Sequence, residues 1–155
     1  MDNVTNDRRH RVLAAKRALR VVNNQISLLS HRVSARAEVK DIDLDTLDYL
    51  SQHGAMSASS LAKGIGLHPA TMTGVLDRLE RSGWILRGRA EHDRRAVVIG
   101  IDPKRNADLV ALYAGMNTAM DGVVEAFTDA ELDTIAEFLR RTAEAGQSAT
   151  AELDA

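Results

Sequence analysis

The 155-residue sequence predicts a mainly α-helical fold carrying one small β-hairpin. Three observations predict it. Apolar residues recur at steps of three and four through both ends of the chain. A helix, a short glycine-containing turn and a second helix stand in the middle, at 57–83. Directly after them, two short apolar-rich runs flank the dense charge cluster of Glu91–Arg95, the pattern of a hairpin with a charged tip.

The first helix is expected over 8–36, where Val12, Ala15, Leu19, Val22, Ile26, Leu29 and Val33 share one face. That stripe is long for a helix covering a small core, and its regularity suits helix-to-helix packing between two copies. A short helix follows at about 43–53, with Asp43 as its N-cap and Leu44, Leu47 and Leu50 on its inner side. Ser57 caps a helix expected to end at Gly64. After the turn Gly64–Gly66, a second helix starts at His68–Pro69, where proline misses no backbone donor, and stops at Gly83. Trp84–Arg89 and Ala96–Ile101 are the expected strands, closed by Asp102–Pro103. Residues 104–127 carry Leu109, Leu112, Met116, Met120, Val123 and Phe127 on one face. Thr128 with Glu131 three residues later forms a capping box for a last helix over about 129–145, and the tail after it is expected to fray.

Composition narrows the function. Apolar residues make up 45% and charged ones 27%, an ordinary globular balance, and aromatics only 3%. With no cysteine, disulfides, thiolate catalysis, thiol redox sensing and cysteine-ligated zinc are excluded. No apolar run approaches the roughly 20 residues a membrane helix needs. The charged N-terminus is not followed by the apolar stretch of a secretory signal, so a cytoplasmic location and no membrane partner are expected. No G-x-S-x-G, H-E-x-x-H or phosphate-loop motif occurs, and Gly64-x-Gly66 lacks the rest of a dinucleotide fingerprint. An enzyme is therefore not expected, and neither is a cofactor. Glu91, His92 and Asp93 are adjacent on one turn and do not converge on a metal.

The net charge of −2 conceals an asymmetry. Residues 8–40 hold nine Lys/Arg and a single acid, Glu38, whereas 106–155 hold ten acids and only Arg140 and Arg141 as cations. Segments of such opposite sign attract, within a chain or between chains.

The helix after the glycine turn points most directly to a partner. Met72, Val75, Leu76 and Leu79 fall on one side and must be core. The opposite side centres on Ala70, Gly74, Asp77 and Arg81, flanked by Thr71, Thr73 and Arg78. Small residues let a backbone lie deep in a major groove, hydroxyls reach phosphates or base edges, and the free N–H groups of a helix start favour phosphate. The hairpin adds Arg87 and Arg89 on the incoming strand and His92, Asp93, Arg94 and Arg95 at the tip. A projecting arginine suits a minor groove, and Asp93 suits the task of holding it in pose.

The segments "LAKGIGLHPATMTGVLDRLERSGWILR" and "HDRRAVVIGI" resemble the MarR family of winged-helix transcriptional regulators, whose wing carries an Asp-x-Arg signature met here by Asp93, Arg94 and Arg95. The resemblance covers about residues 10–145. It implies a winged helix-turn-helix lobe at 37–102, flanked by dimerisation helices at 1–36 and 103–146, with a flexible tail at 147–155. It implies a homodimer on a pseudo-palindromic duplex, with Arg95 in the minor groove, Asp93 orienting it, and Thr71 and Thr73 in the major groove. The expected DNA contacts are Ser59, His68, Ala70, Thr71, Thr73, Gly74, Arg78, Arg87, Arg89, His92, Asp93, Arg94 and Arg95. The family also implies a small-molecule effector, for which Tyr49, Trp84, Tyr113 and Met116 are the large side chains available. The chain departs from the family at Gly74, where many members carry arginine, and at "GIDPKR", where a Leu-Thr pair usually ends the strand. The alternative is a helical interaction module that binds no DNA.

Overall fold

The computed structural model describes residues 2–89 and 97–153, with side chains from Asn6 onward. The described elements are α1 (Asp2–Arg36), α2 (Asp41–His53), α3 (Ala58–Ile65), α4 (Pro69–Arg81), β1 (Ile85–Arg89), β2 (Val97–Ile101), α5 (Pro103–Val124) and α6 (Asp129–Leu153). The mainly helical class with a small antiparallel hairpin is as the sequence predicts. Two compact units are present, Met1–Leu112 and Tyr113–Ala155.

In the first unit the core is built from α2, α3, α4 and the hairpin. Leu44, Leu47 and Leu50 meet Leu61 and Ala62, the inner face of α4, and Trp84, Ile85 and Ile99, all buried. Removing each large apolar side chain from water contributes about 1.5–3 kcal/mol. The hairpin pairs from Ile85↔Ile101 to Arg89↔Val97. A third backbone segment joins its base. Met56 donates to the Ile99 carbonyl at 3.1 Å and accepts from the Ile99 N–H at 2.8 Å, so the stretch leading into α3 is stitched to β2. Among its described side chains, α1 enters the core at its C-terminal end, through Val33 and Ser34. Most of its apolar stripe is open to solvent, with Val12 at 43%, Val22 at 50% and Ile26 at 48% exposure.

In the second unit, the capping box forms as expected. The Thr128 N–H and hydroxyl both donate to Glu131 Oε2, at 2.9 and 2.8 Å, and Glu131 N–H donates back to Thr128 Oγ1 at 3.4 Å. Those bonds to the ionised carboxylate hold Glu131 below its usual titration range. Ile135, Phe138 and Leu139 of α6 are exposed, and so are Met120 and Val123 of α5.

Several boundaries differ from expectation. α1 begins at Asp2 rather than near Arg8, because Asp2–Asp7 continues the pattern without a breaker and Asp7 supports it by pairing with Arg11 at 2.8 Å. α3 runs through Gly64 to Ile65, and Gly66 at φ 75°, ψ 31° ends it, since the left-handed turn falls at the second glycine. α5 ends at Val124 rather than at Phe127. α6 continues to Leu153 instead of ending near 145, so residues 147–153, expected as tail, are helical. That stretch has no proline, and Ser148 and Thr150 bond back to the carbonyls of Glu144 and Gly146 at 3.1 and 3.0 Å.

Candidate nucleic-acid interface

The local chemistry of 57–83 sets out one exposed helix surface. Ser57 Oγ accepts from the Ser60 N–H at 3.1 Å and so caps α3. It also bonds the Ser59 hydroxyl at 3.0 Å, and Ser59 is exposed beside it. Leu67 N–H closes the turn onto the Ala62 carbonyl at 2.8 Å. His68 then caps α4: its Nδ1 accepts from the Ala70 N–H at 3.3 Å, which places the ring proton on Nε2. Pro69 occupies the first turn.

Met72, Val75, Leu76 and Leu79 are buried as the periodicity predicts. Ala70, Thr71 and Thr73 are exposed, and Gly74 is half-buried. Thr73 donates its hydroxyl proton to the Pro69 carbonyl at 3.0 Å, leaving its oxygen lone pairs to accept. A methyl on Gly74 would come no nearer than 3.9 Å to Arg78 Nη1, so nothing within the protein requires glycine there.

Two of the expected cations are engaged inside the fold. Arg78 donates from Nε to Asp43 Oδ2 at 3.2 Å and from Nη2 to Asp43 Oδ1 at 2.5 Å. These bonds raise the guanidinium above its ordinary pKa. Asp43 is therefore not the N-cap of α2. The helix starts two residues earlier, the capping position is Lys40 without a side-chain bond, and Asp43 faces inward to α4. Arg87 on β1 reaches across to α4, with Nη2 to Asp77 Oδ1 at 2.9 Å and Nε to Glu80 Oε2 at 2.8 Å. Arg89 is exposed opposite Val97. His92, Asp93, Arg94 and Arg95 lie outside the described residues. Sequence reasoning missed Asp43, Asp77 and Glu80 as partners. The readable signal was Arg78 itself, one position from the apolar face and so placed to reach a neighbouring helix.

Residues 43–97 match the model of the MarR family. That segment is similar to the MarR family and spans about a third of the chain. The chain is 29% identical to the Bacillus subtilis HTH-type transcriptional regulator YcgE over 119 residues, covering 76% of this chain and 77% of that one. It is 31% identical to the Bacillus subtilis HTH-type transcriptional repressor YetL over 84 residues, 54% of this chain and 50% of the relative. A solved MarR-family protein from Bacillus stearothermophilus shares the fold, with a TM-score of 0.66 at 21% identity over 88% of this chain and 95% of the other.

Of the four large side chains expected to line an effector pocket, Tyr49 and Trp84 lie in the first unit. Tyr49 on α2 lies against Gly64 of α3, so closely that a methyl there would overlap the phenol, and it stacks on His53 with ring centroids 4.1 Å apart. Trp84 is buried with the Arg105 guanidinium over its ring at 4.0 Å. It lines an open cavity of about 330 Å³ with Arg36, Ala37, Glu38, Arg105, Asp108 and Leu112. Tyr113 and Met116 belong to the second unit. Among the described residues, no group of three or more His, Asp or Glu is arranged to hold a metal, and no helix is long and apolar enough to cross a membrane.

Proposed function

We propose that this chain is a dimeric, sequence-specific DNA-binding transcriptional regulator, acting as a repressor and carrying no enzymatic activity or cofactor. The observation that carries the reading is the start of α4. Its first turns are small and hydroxylic on the outside, are capped by His68–Pro69, and are backed by four core residues. Such a surface lets the helix backbone approach bases closely while its free N–H groups meet phosphate. Ser59, His68, Ala70, Thr71, Thr73 and Gly74 are the proposed contacts on this face, with Arg89 on the hairpin. For His92, Asp93, Arg94 and Arg95 the proposal rests on the wing signature in the sequence. The repressor assignment leans on what YetL is named for.

Two copies, joined through the helices of 1–36 and 103–146, place two α4 helices about 34–36 Å apart in successive major grooves. A small-molecule effector alters that spacing, and duplex occupancy follows because only one spacing fits. The regulator works where its DNA is, in the cytoplasm.

The rival reading, a helical interaction module, draws on the exposed apolar stripes and on the neutralised Arg78 and Arg87. Selection of duplexes from a random pool decides. An inverted repeat is expected, bound with an affinity that falls steeply as salt rises. Retention of no duplex at low salt would leave the interaction module.

A further inference from the structure

Resting on the reading of α4 as the groove-facing helix, we propose that Asp43 and Arg78 are a positioning pair. They set how α4 lies on α2, and so how Thr71, Thr73 and Gly74 face the duplex, and neither touches DNA. The pair joins residues 35 apart in sequence through two hydrogen bonds from adjacent guanidinium nitrogens to both carboxylate oxygens. A two-point fork fixes rotation as well as distance, which a single contact does not. The Asp43 side chain is only 5% exposed, and that of Arg78 36%. A carboxylate so enclosed is costly without its partner, so the two helices cannot drift apart in register while both charges remain.

The rest of this contact is apolar: Leu44 and Leu47 on α2, and Met72, Val75, Leu76 and Leu79 on α4. Such packing is strong but weakly directional. It holds the helices together without selecting one rotation of α4 to the accuracy that base contacts demand. Arg87 makes a comparable link on the other side of α4, through Asp77 and Glu80, but at exposed positions where ion pairs contribute little. The pair with its carboxylate enclosed is the one with the stiffness to orient the helix.

The test uses the full chain, a duplex recovered by selection and a random duplex, each titrated across a salt series. Asp43→Asn removes the charge at a residue too enclosed to reach DNA. The double variant Asp43→Leu/Arg78→Met replaces the pair by apolar groups and keeps the chain folded if the single variant does not. Both are expected to lose about tenfold or more in affinity for the selected duplex. Both should keep wild-type affinity for the random duplex and the wild-type slope of affinity against salt, because the number of phosphate contacts is unchanged. A slope lowered by about one in the double variant, with Asp43→Asn unaffected, would make Arg78 a phosphate contact and overturn the proposal. So would wild-type affinity in both variants, or equal losses on both duplexes. Wild-type protein that retains no duplex at all overturns the proposal together with the DNA-binding reading, and that outcome is distinct from the others.

Discussion

Gly64 and Gly74 are both inside helices, and their surroundings oppose each other. Tyr49 fills the space where a Gly64 side chain would go, whereas Gly74 faces room. Gly64→Ala should displace the phenol and destabilise the protein by about 1–3 kcal/mol, an overpacking cost, with part of it recovered when Tyr49→Leu is added. Gly74→Ala should stabilise by about 0.5–1 kcal/mol, since alanine gains helix propensity and meets nothing. Denaturant unfolding of the three variants checks both signs. The Glu131 carboxylate is lowered by its Thr128 bonds, so its contribution is present above the ordinary carboxylate pKa and is lost as pH falls through the folded value. Glu131→Gln should therefore unfold with a flatter acid limb than wild type. Equal limbs would show that the capping box carries no pH-dependent stability. At this scale the sequence was readable where a residue acts locally: Ser57, Pro69 and the Thr128–Glu131 box are legible from spacing alone. It was silent where a residue acts through a distant partner. Nothing near Asp43 announces Arg78, and nothing near Gly64 announces Tyr49.

The elements show the same division. The apolar face of α4 and both strands of the hairpin follow from periods of 3.6 and 2, because burial selects one face. The ends of α3 and α6 do not, since Gly64 and Gly146 are tolerated within helices whose neighbours hold the backbone bonds. The charge of the candidate surface was the hardest part to read. Arg78 and Arg87 look like free cations in sequence, yet Asp77 and Glu80 on α4 engage one and Asp43 the other. An element-level prediction follows from Arg87. Asp77→Asn/Glu80→Gln releases it and removes two like charges from a surface proposed to face phosphate. Affinity for duplexes of any sequence should rise, and its dependence on salt should steepen by about one. Unchanged salt dependence in filter-binding or anisotropy titrations would place this end of α4 away from the backbone.

For the whole molecule, the apolar stripes of α1 and the apolar residues of α5 and α6 stand exposed in a single chain. Exposed apolar area of this extent commonly marks an interface. Val22→Asp/Ile26→Asp should give a monomer by sedimentation equilibrium, with the helical signal retained and duplex affinity lost, since one recognition helix grips half a site. Persistence of a dimer would move the interface elsewhere. The opposite charges of the two ends were plain in the sequence, and among the described residues several of their ion pairs run along single helices: Arg11 with Asp7, and Arg140 and Arg141 with Glu137. Net charge by segment counts residues without saying which ones meet.

The backbone stitch between Met56 and Ile99 reaches beyond stability. It anchors β2 from the side away from β1, whose ladder to β2 runs from Ile85↔Ile101 to Arg89↔Val97. The described part of β2 is therefore held from both sides. The residue that leads into α3 thus also holds β2, so the hairpin and the start of the helix-turn-helix are tethered through one backbone bridge.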